Sequence, residues 1–147
     1  MLNITSANTN DDLQAICEQM QPEAWGKDNE MTSYRPDKLK KYLESENTLL
    51  LLAKDGEKIV GAVLCYILPH PAGEDTLYVH EFDTHPDYRR QGIGTKMIHE
   101  LQKIAKEKGL SEAWLATETD NIAANSFYKS LYPTETEPSV TYAYKIK

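Results

Sequence analysis

His85-Pro86-Asp87-Tyr88-Arg89-Arg90-Gln91-Gly92-Ile93-Gly94-Thr95 lies between an apolar run that ends near Thr84 and a helical pattern that begins near Gln91. A helix amino end presents N–H groups without intrahelical partners and a partial positive charge. Gly92 and Gly94 let a ligand approach that backbone with no Cβ in the way. Arg89 and Arg90 add positive side chains where a diphosphate or ribose phosphate would lie. The stretch therefore reads as an anion-holding turn. It is not a dinucleotide fingerprint, which needs a third glycine where Met97 stands, nor a nucleotide P-loop, which needs Gly-Lys-Ser/Thr. A competing reading, in which the glycines only permit close helix-to-sheet packing and the arginines are solvated, stays open on these residues alone.

Working outward from the turn, Ile93, Met97, Leu101, Ile104 and Ala105 form one apolar stripe and predict a helix over 91–108 that Gly109 ends. On the other side, Thr76 to Thr84 reads as a strand with polar groups embedded in it, preceded by a loop from Pro69 to Asp75. Thr48 to Ala53 and Ile59 to Leu68 are apolar runs joined by Asp55-Gly56, a hairpin signal. Further upstream, Leu2 and Ile4 start a strand. Leu13, Ile16, Cys17 and Met20 recur at helical spacing behind Asn10, Asp11 and Asp12. Gln21 to Tyr34 shows no sustained period and predicts a long loop, after which Arg35-Pro36 opens a helix carrying Leu39, Tyr42 and Leu43. Downstream come a strand over 113–117 and a helix over 121–131 with Ala124, Phe127, Tyr128 and Leu131 on one face. A last strand is expected in which Val140, Tyr142, Tyr144 and Ile146 share one side. This order predicts one α/β domain over residues 1–147, with a mixed, mostly antiparallel sheet flanked by helices.

The composition, 40% hydrophobic and 27% charged in 147 residues, is that of a globular chain with one core. A net charge of -7 repels phosphate backbones and anionic lipid and favours cationic small molecules, so neither nucleic acid nor membrane is the expected partner. Cys17 and Cys65 each sit in an apolar stretch and read as buried, reduced thiols of a cytoplasmic protein. Neither has a neighbouring His or Lys that would activate it. The amino terminus lacks the charged and apolar regions of a secretory signal, and no apolar run reaches the length of a membrane span.

Glu81 and Asp83, two apart on a strand, place both carboxylates on one face. Beside an anion turn, such a pair suits a proton acceptor and a cation anchor; the bland reading is that both are solvated or paired with lysine. His80 is expected to face opposite to Glu81. His80-Glu81 begins like a zinc-protease motif, but Thr84 stands where the second His belongs, so no metal site is expected. Trp25 is either a core plug or part of an acceptor lid. Glu23, Asp28 and Glu30 of the same loop are solvated singly or together line a cation-attracting mouth. Tyr128 is a core residue, a proton donor, or both.

With Arg89, Gly92 and Gly94 at Gln/Arg-x-x-Gly-x-Gly/Ala spacing, behind Pro86, the chain resembles the GNAT superfamily of acyl-CoA-dependent N-acyltransferases. Its second motif is similar to Asn121-Ile122-Ala123-Ala124-Asn125-Ser126-Phe127-Tyr128-Lys129. The resemblance implies a GNAT-like fold and acetyl-CoA as cosubstrate. It implies cofactor contacts from Phe82, Asp83, Thr84, Arg89, Arg90, Gln91, Gly92, Ile93, Gly94, Thr95, Asn121 and Lys129, with Tyr128 near the thioester sulfur. It also implies a strand bulge at Phe82 to Thr84 that turns a backbone N–H toward the thioester carbonyl, and a homodimer is common in the family. After Tyr128 the family usually has Lys-Leu-Gly-Phe, whereas Lys129-Ser130-Leu131-Tyr132-Pro133 stands here without the glycine. The strand from Tyr78 to Thr84 and the run Glu137-Pro138-Ser139-Val140 look most like the aminoglycoside 3-N-acetyltransferase group. The expected function is direct acetyl transfer from acetyl-CoA to a primary amine of a cationic small molecule, with Glu81 and Tyr128 catalytic and Trp25, Glu81 and Asp83 binding the acceptor. Acetylation of a peptide amino terminus, a non-turnover acetyl-CoA-binding module and an interaction domain for a basic partner are the alternatives.

Overall fold

The structure, a computed structural model, describes residues 1–26 and 33–147, so Asp28 and Glu30 lie outside the described residues. The chain forms two compact units, Met1–Trp114 and Leu115–Lys147. The first holds a five-stranded sheet of β1 (Leu2–Ser6), β2 (Thr48–Asp55), β3 (Lys58–Leu68), β4 (Thr76–Thr84) and β5 (Glu112–Trp114), in that spatial order. The first four strands pair antiparallel and β5 runs parallel to β4, which is the mixed, mostly antiparallel α/β arrangement expected.

β2 and β3 are buried on both faces, which is why they read as continuous apolar runs rather than alternating ones. The hairpin between them closes through Gly56-Glu57, with Asp55 opposite Lys58 and Gly56 at φ 61°, the left-handed conformation that its lack of a Cβ makes cheap. One face of the sheet packs on α1 (Leu13–Gln19) and α3 (Pro36–Glu44). There Ile16, Cys17, Met20, Leu39, Leu50, Leu52, Ile59 and Ala62 form a cluster. Asp12 caps α1, its carboxylate accepting the Ala15 N–H at 3.0 Å, and Pro36 opens α3 where a helix needs no N–H donor. The other face carries α4 (Ile93–Glu107), which buries Ile93, Met97, Ile98, Leu101 and Ala105. Gly61 of β3 lets α4 come close: a Cβ built there would meet Met97 Cε at 2.7 Å.

The loop expected from Gln21 contains one helical turn, α2 (Pro22–Trp25), with proline at its first position. Trp25 is 1% exposed within the core cluster, and its indole N–H donates to Gln19 O at 2.8 Å. Of the two roles open to it, its surroundings are those of the core plug; a ring with no exposed surface offers no face to an acceptor.

The second unit contains α5 (Ile122–Lys129), whose Ala124, Phe127 and Tyr128 are its half-buried side, with Leu131 just beyond the end. No strand forms over 140–147. Val140, Tyr142, Tyr144 and Ile146 are 74–94% exposed, so the alternation expected of a last strand is present but no strand is formed there. Among the described residues, no helix is long and apolar enough to cross a membrane.

Candidate active site

β4 ends at Thr84, and the chain then makes a short 3-10 turn over Pro86–Tyr88 before α4 begins. His85 anchors the turn at both ends of its own residue: its N–H donates to Val60 O at 2.8 Å, and its Nδ1 accepts the Asp87 N–H at 3.2 Å. The Arg89 Nε donates to Thr84 O at 3.2 Å, and the Gln91 side chain donates to Asp87 O at 3.3 Å. These bonds fold the turn back on the strand end. Gly92, at φ 80°, is the amino cap of α4, and no side chain caps the first turn of that helix. A Cβ on Gly92 would meet nothing within 4 Å, so the glycine is required for the sign of φ and not for space inside the chain. Arg90 shares the left-handed conformation, at φ 60°. Ile93, Gly94 and Thr95 therefore enter the helix with N–H groups that neither the helix nor a side-chain cap satisfies, the arrangement that binds anions. Arg89 and Arg90 are exposed beside it.

Glu81 and Asp83 pair with Leu64 and Ala62, which are two apart on β3, so both carboxylates share one sheet face as expected. It is the face that carries α1, α3 and the partly buried Tyr34, Tyr42 and Leu64. Burial pushes the Tyr34 hydroxyl above the ordinary phenol range. The charges of Glu81 and then Asp83 push the same way, with Tyr42 and Tyr66 also contributing. The Tyr42 oxygen lies among all four backbone polar atoms of the Leu49 and Cys65 pair, 2.8 and 2.6 Å from the carbonyls and 3.3 and 3.2 Å from the N–H groups.

Two expectations about this strand are corrected. The register passes from Leu64 opposite Glu81 to Cys65 opposite Val79, leaving His80 as an extra residue. The bulge is therefore at His80, while Phe82, Asp83 and Thr84 pair regularly with Val63, Ala62 and Gly61. His80 accordingly does not face away from Glu81: its ring centroid lies 5.7 Å from that of Tyr66 and 5.8 Å from that of Tyr78, on the Leu64 face. Strict alternation fails because a bulge resets it, and nothing in the period of the sequence marks the reset. On the far edge of β4, pairing with β5 stops at Tyr78 opposite Trp114.

The free thiols of Cys17 and Cys65 are buried, and burial pushes Cys65 up to about 12, so neither is a poised nucleophile. Among the described residues, no group of three His, Cys, Asp or Glu side chains is placed to hold a metal ion. In the second unit, Asn121 caps α5 by accepting the Ala124 N–H at 3.1 Å, and the half-buried Tyr128 ring lies 5.2 Å from that of Phe127. Lys129 is exposed at the end of α5.

The sequence profile of the Acetyltransferase (GNAT) family matches residues 12–131, from the first helix cap to just beyond the end of α5. The chain belongs to the GNAT acetyltransferase family. Over 80 residues, 54% of this chain and 53% of the relative, it is 36% identical to N-alpha-acetyltransferase 30 of Schizosaccharomyces pombe. It is 34% identical over 76 residues to thialysine N-epsilon-acetyltransferase of Sus scrofa, covering 52% of this chain and 45% of that one. The chain thus spans about half the length of the curated relatives it matches. Its whole fold superposes on the aminoglycoside acetyltransferase meta-AAC0020 from an uncultured soil metagenomic sample, in complex with sisomicin. That match has 26% identity and a TM-score of 0.87, over 99% of this chain and 97% of that one. AAC(6')-Iy, in complex with the bisubstrate analog CoA-S-monomethyl-acetylneamine, shares the fold at 15% identity and a TM-score of 0.78, over 99% of each chain.

Proposed function

We propose that this GNAT chain transfers the acetyl group of acetyl-CoA to a primary amine of a cationic small molecule of aminoglycoside or polyamine type. The observation that carries the reading is the acid pair Glu81 and Asp83 on one face of β4, a few residues before an uncapped, glycine-entered helix with two exposed arginines. Backbone N–H groups of Ile93, Gly94 and Thr95, with Arg89 and Arg90, hold the diphosphate of the cosubstrate. The edge of β4 beyond Tyr78 is the place for amide-to-amide pairing with its pantetheine arm, with Phe82, Asp83 and Thr84 supplying the backbone groups. Gln91 supports the turn, and the family resemblance assigns further cosubstrate contacts to Asn121 and Lys129.

Holding both substrates together turns a bimolecular reaction into one within a complex. An α-amino group titrates at about 7.7–8.0 and a lysine-like amine at about 10.4, so the acceptor arrives mostly protonated at neutral pH. Glu81 takes that proton, directly or through a water, and the freed lone pair attacks the thioester carbon. The C–N bond forms, the C–S bond breaks, the leaving thiolate takes a proton from the Tyr128 hydroxyl, and the second proton that the nitrogen sheds as it becomes the amide restores the Tyr128 hydroxyl. Asp83 holds the positive charge of the acceptor. The superposition on a sisomicin complex and the excess of acids in the chain support a cationic acceptor.

A peptide amino terminus is the second reading, favoured by the 36% identity to N-alpha-acetyltransferase 30. Thiol release from acetyl-CoA, measured with sisomicin, spermidine, glucosamine and a short peptide, separates the two. We expect turnover with sisomicin or spermidine; turnover with the peptide alone selects the second reading, and no release with any amine overturns both.

A further inference from the structure

One face of the sheet carries a file of rings that starts at Tyr42, which packs against the core cluster, and continues away from it. From Tyr42 it runs to Tyr66 (centroids 5.6 Å apart), His80 (5.7 Å), Tyr78 (5.8 Å) and Trp114 (4.5 Å). Tyr66 and Tyr78 are cross-strand partners, and Trp114 stands opposite Tyr78 on β5, so three adjacent strands contribute. Two members of the file are exposed, His80 and, at 41%, Trp114, while Tyr66 and Tyr78 are half-buried. The Trp114 indole N–H donates to Thr76 Oγ1 at 3.2 Å, which fixes the plane of a large side chain that burial does not hold. His80 joins the file only because the bulge turns it there. Glu81, the next residue, points to the same face.

Open aromatic faces in a row beside two carboxylates have one chemical preference. The ring quadrupole attracts a cation within about 6 Å of the centroid, and the carboxylates draw cations to the same face. We propose that Tyr66, His80, Tyr78 and Trp114 form a rail that binds a second ammonium group of the acceptor while the first is deprotonated at Glu81. The rail selects polyamines over monoamines. This rests on the reading of Glu81 as the acceptor end of the site, but its binding role does not require turnover.

The test is calorimetric titration of the full chain, with CoA present, by sisomicin and spermidine, which carry several amines, and by glucosamine, which carries one. Trp114→Leu and Tyr78→Leu keep apolar bulk and remove the ring; Trp114→Phe and Tyr78→Phe keep a ring. Each Leu variant should weaken sisomicin binding by about 2- to 5-fold, the factor an exposed cation–π contact is worth, with glucosamine left essentially unchanged. The Phe variants should restore most of the loss. Equal weakening of both ligands, failure of Phe to restore, or no binding of sisomicin and spermidine to the parent protein each overturns the rail. Since Trp114 is exposed, its variants test the proposal even if Tyr78→Leu does not fold. Ring-dependent binding with no thiol release would sink the transferase reading and leave the rail standing; thiol release with binding unchanged in the Leu variants does the reverse.

Discussion

The turn after β4 and the acid-bearing face of β4 are neighbours in the chain, yet they are built on opposite principles. The turn works through backbone: its donors are main-chain N–H groups of Ile93, Gly94 and Thr95, exposed by a left-handed Gly92 and held in place by bonds from His85, Arg89 and Gln91. Its donors and the side chains that hold the turn lie within eleven consecutive residues, although two of their bonds reach Val60 O and Thr84 O. The face works through side chains drawn from β3, β4, β5 and the segment before α3, and it depends on a register shift to bring His80 beside Glu81. A backbone site tolerates change in most side chains and fails when a glycine acquires one. A side-chain site fails at single functional groups. The difference can be broken at either end.

The largest effect is expected on the face. Glu81→Gln keeps size and hydrogen bonding but removes the proton acceptor, so turnover with the best amine at neutral pH should fall by about 10²–10⁴-fold. Part of the loss should return as pH rises, because more acceptor is then already deprotonated. The recovery has to be read below about pH 9. The Cys65 thiol is held protonated up to about 12 by burial, against an ordinary value of 9.0, so its contribution to stability is full below 9 and is lost as pH climbs through 12. Wild-type turnover for Glu81→Gln across pH 6–9 would assign the proton to another group.

At the turn, Gly94→Glu should lower CoA affinity by about 10²-fold, since a carboxylate facing a diphosphate costs several kcal/mol. The substitution is informative because it should not unfold the chain. An acid in the first turn of α4 interacts favourably with the helix dipole, by roughly 0.3–1 kcal/mol. The measurement is the rise in thermal midpoint given by CoA at about ten times its dissociation constant for the parent protein, which should nearly vanish in the variant while its own midpoint holds. Retained protection would move the diphosphate elsewhere.

The same contrast explains what could be read from the sequence. The Asp55-Gly56 hairpin, the stripe of α4 and the Thr76–Thr84 strand are local patterns, and each forms where its pattern lies. So does the turn into α4, entered at Gly92, which is why its place can be read from eleven letters. The His80 bulge cannot be named this way: it is a property of how β4 sits against β3, and the alternation of β4 taken alone sends His80 to the wrong face. Trp25 shows the same limit, since a lone tryptophan between Gln21 and Tyr34 has no period around it, and only the packing reveals it as core. The terminal run of Val140, Tyr142, Tyr144 and Ile146 errs in the opposite direction. Its alternation is clear, but alternation is only half of a strand, and the other half is a partner edge.

The smallest effect concerns a glycine that the family usually has and this chain lacks. α4 is entered through Gly92 at φ 80°, whereas the chain leaves α5 through Tyr132 at φ 54°. The exit keeps its geometry without the glycine: Leu131 and Tyr132 N–H groups donate to Tyr128 and Lys129 carbonyls at 3.1 Å, and the left-handed residue falls within the run that departs from Lys-Leu-Gly-Phe. A residue with a Cβ costs roughly 1–2 kcal/mol in that conformation. Tyr132→Gly removes the cost but gives the unfolded chain more freedom, an opposing effect of about 0.4–1 kcal/mol. The net expectation is stabilisation by about 0.5–1 kcal/mol, a rise of roughly 1–4 °C in thermal midpoint for a chain of this size. The Tyr132 ring is 91% exposed, so little packing is lost with it. Tyr132→Ala is the control, because alanine keeps the Cβ and with it the strain, and its midpoint should stay near that of the parent. If glycine and alanine shift the midpoint equally, the side chain rather than the backbone sets stability at this exit, and the left-handed residue carries no strain.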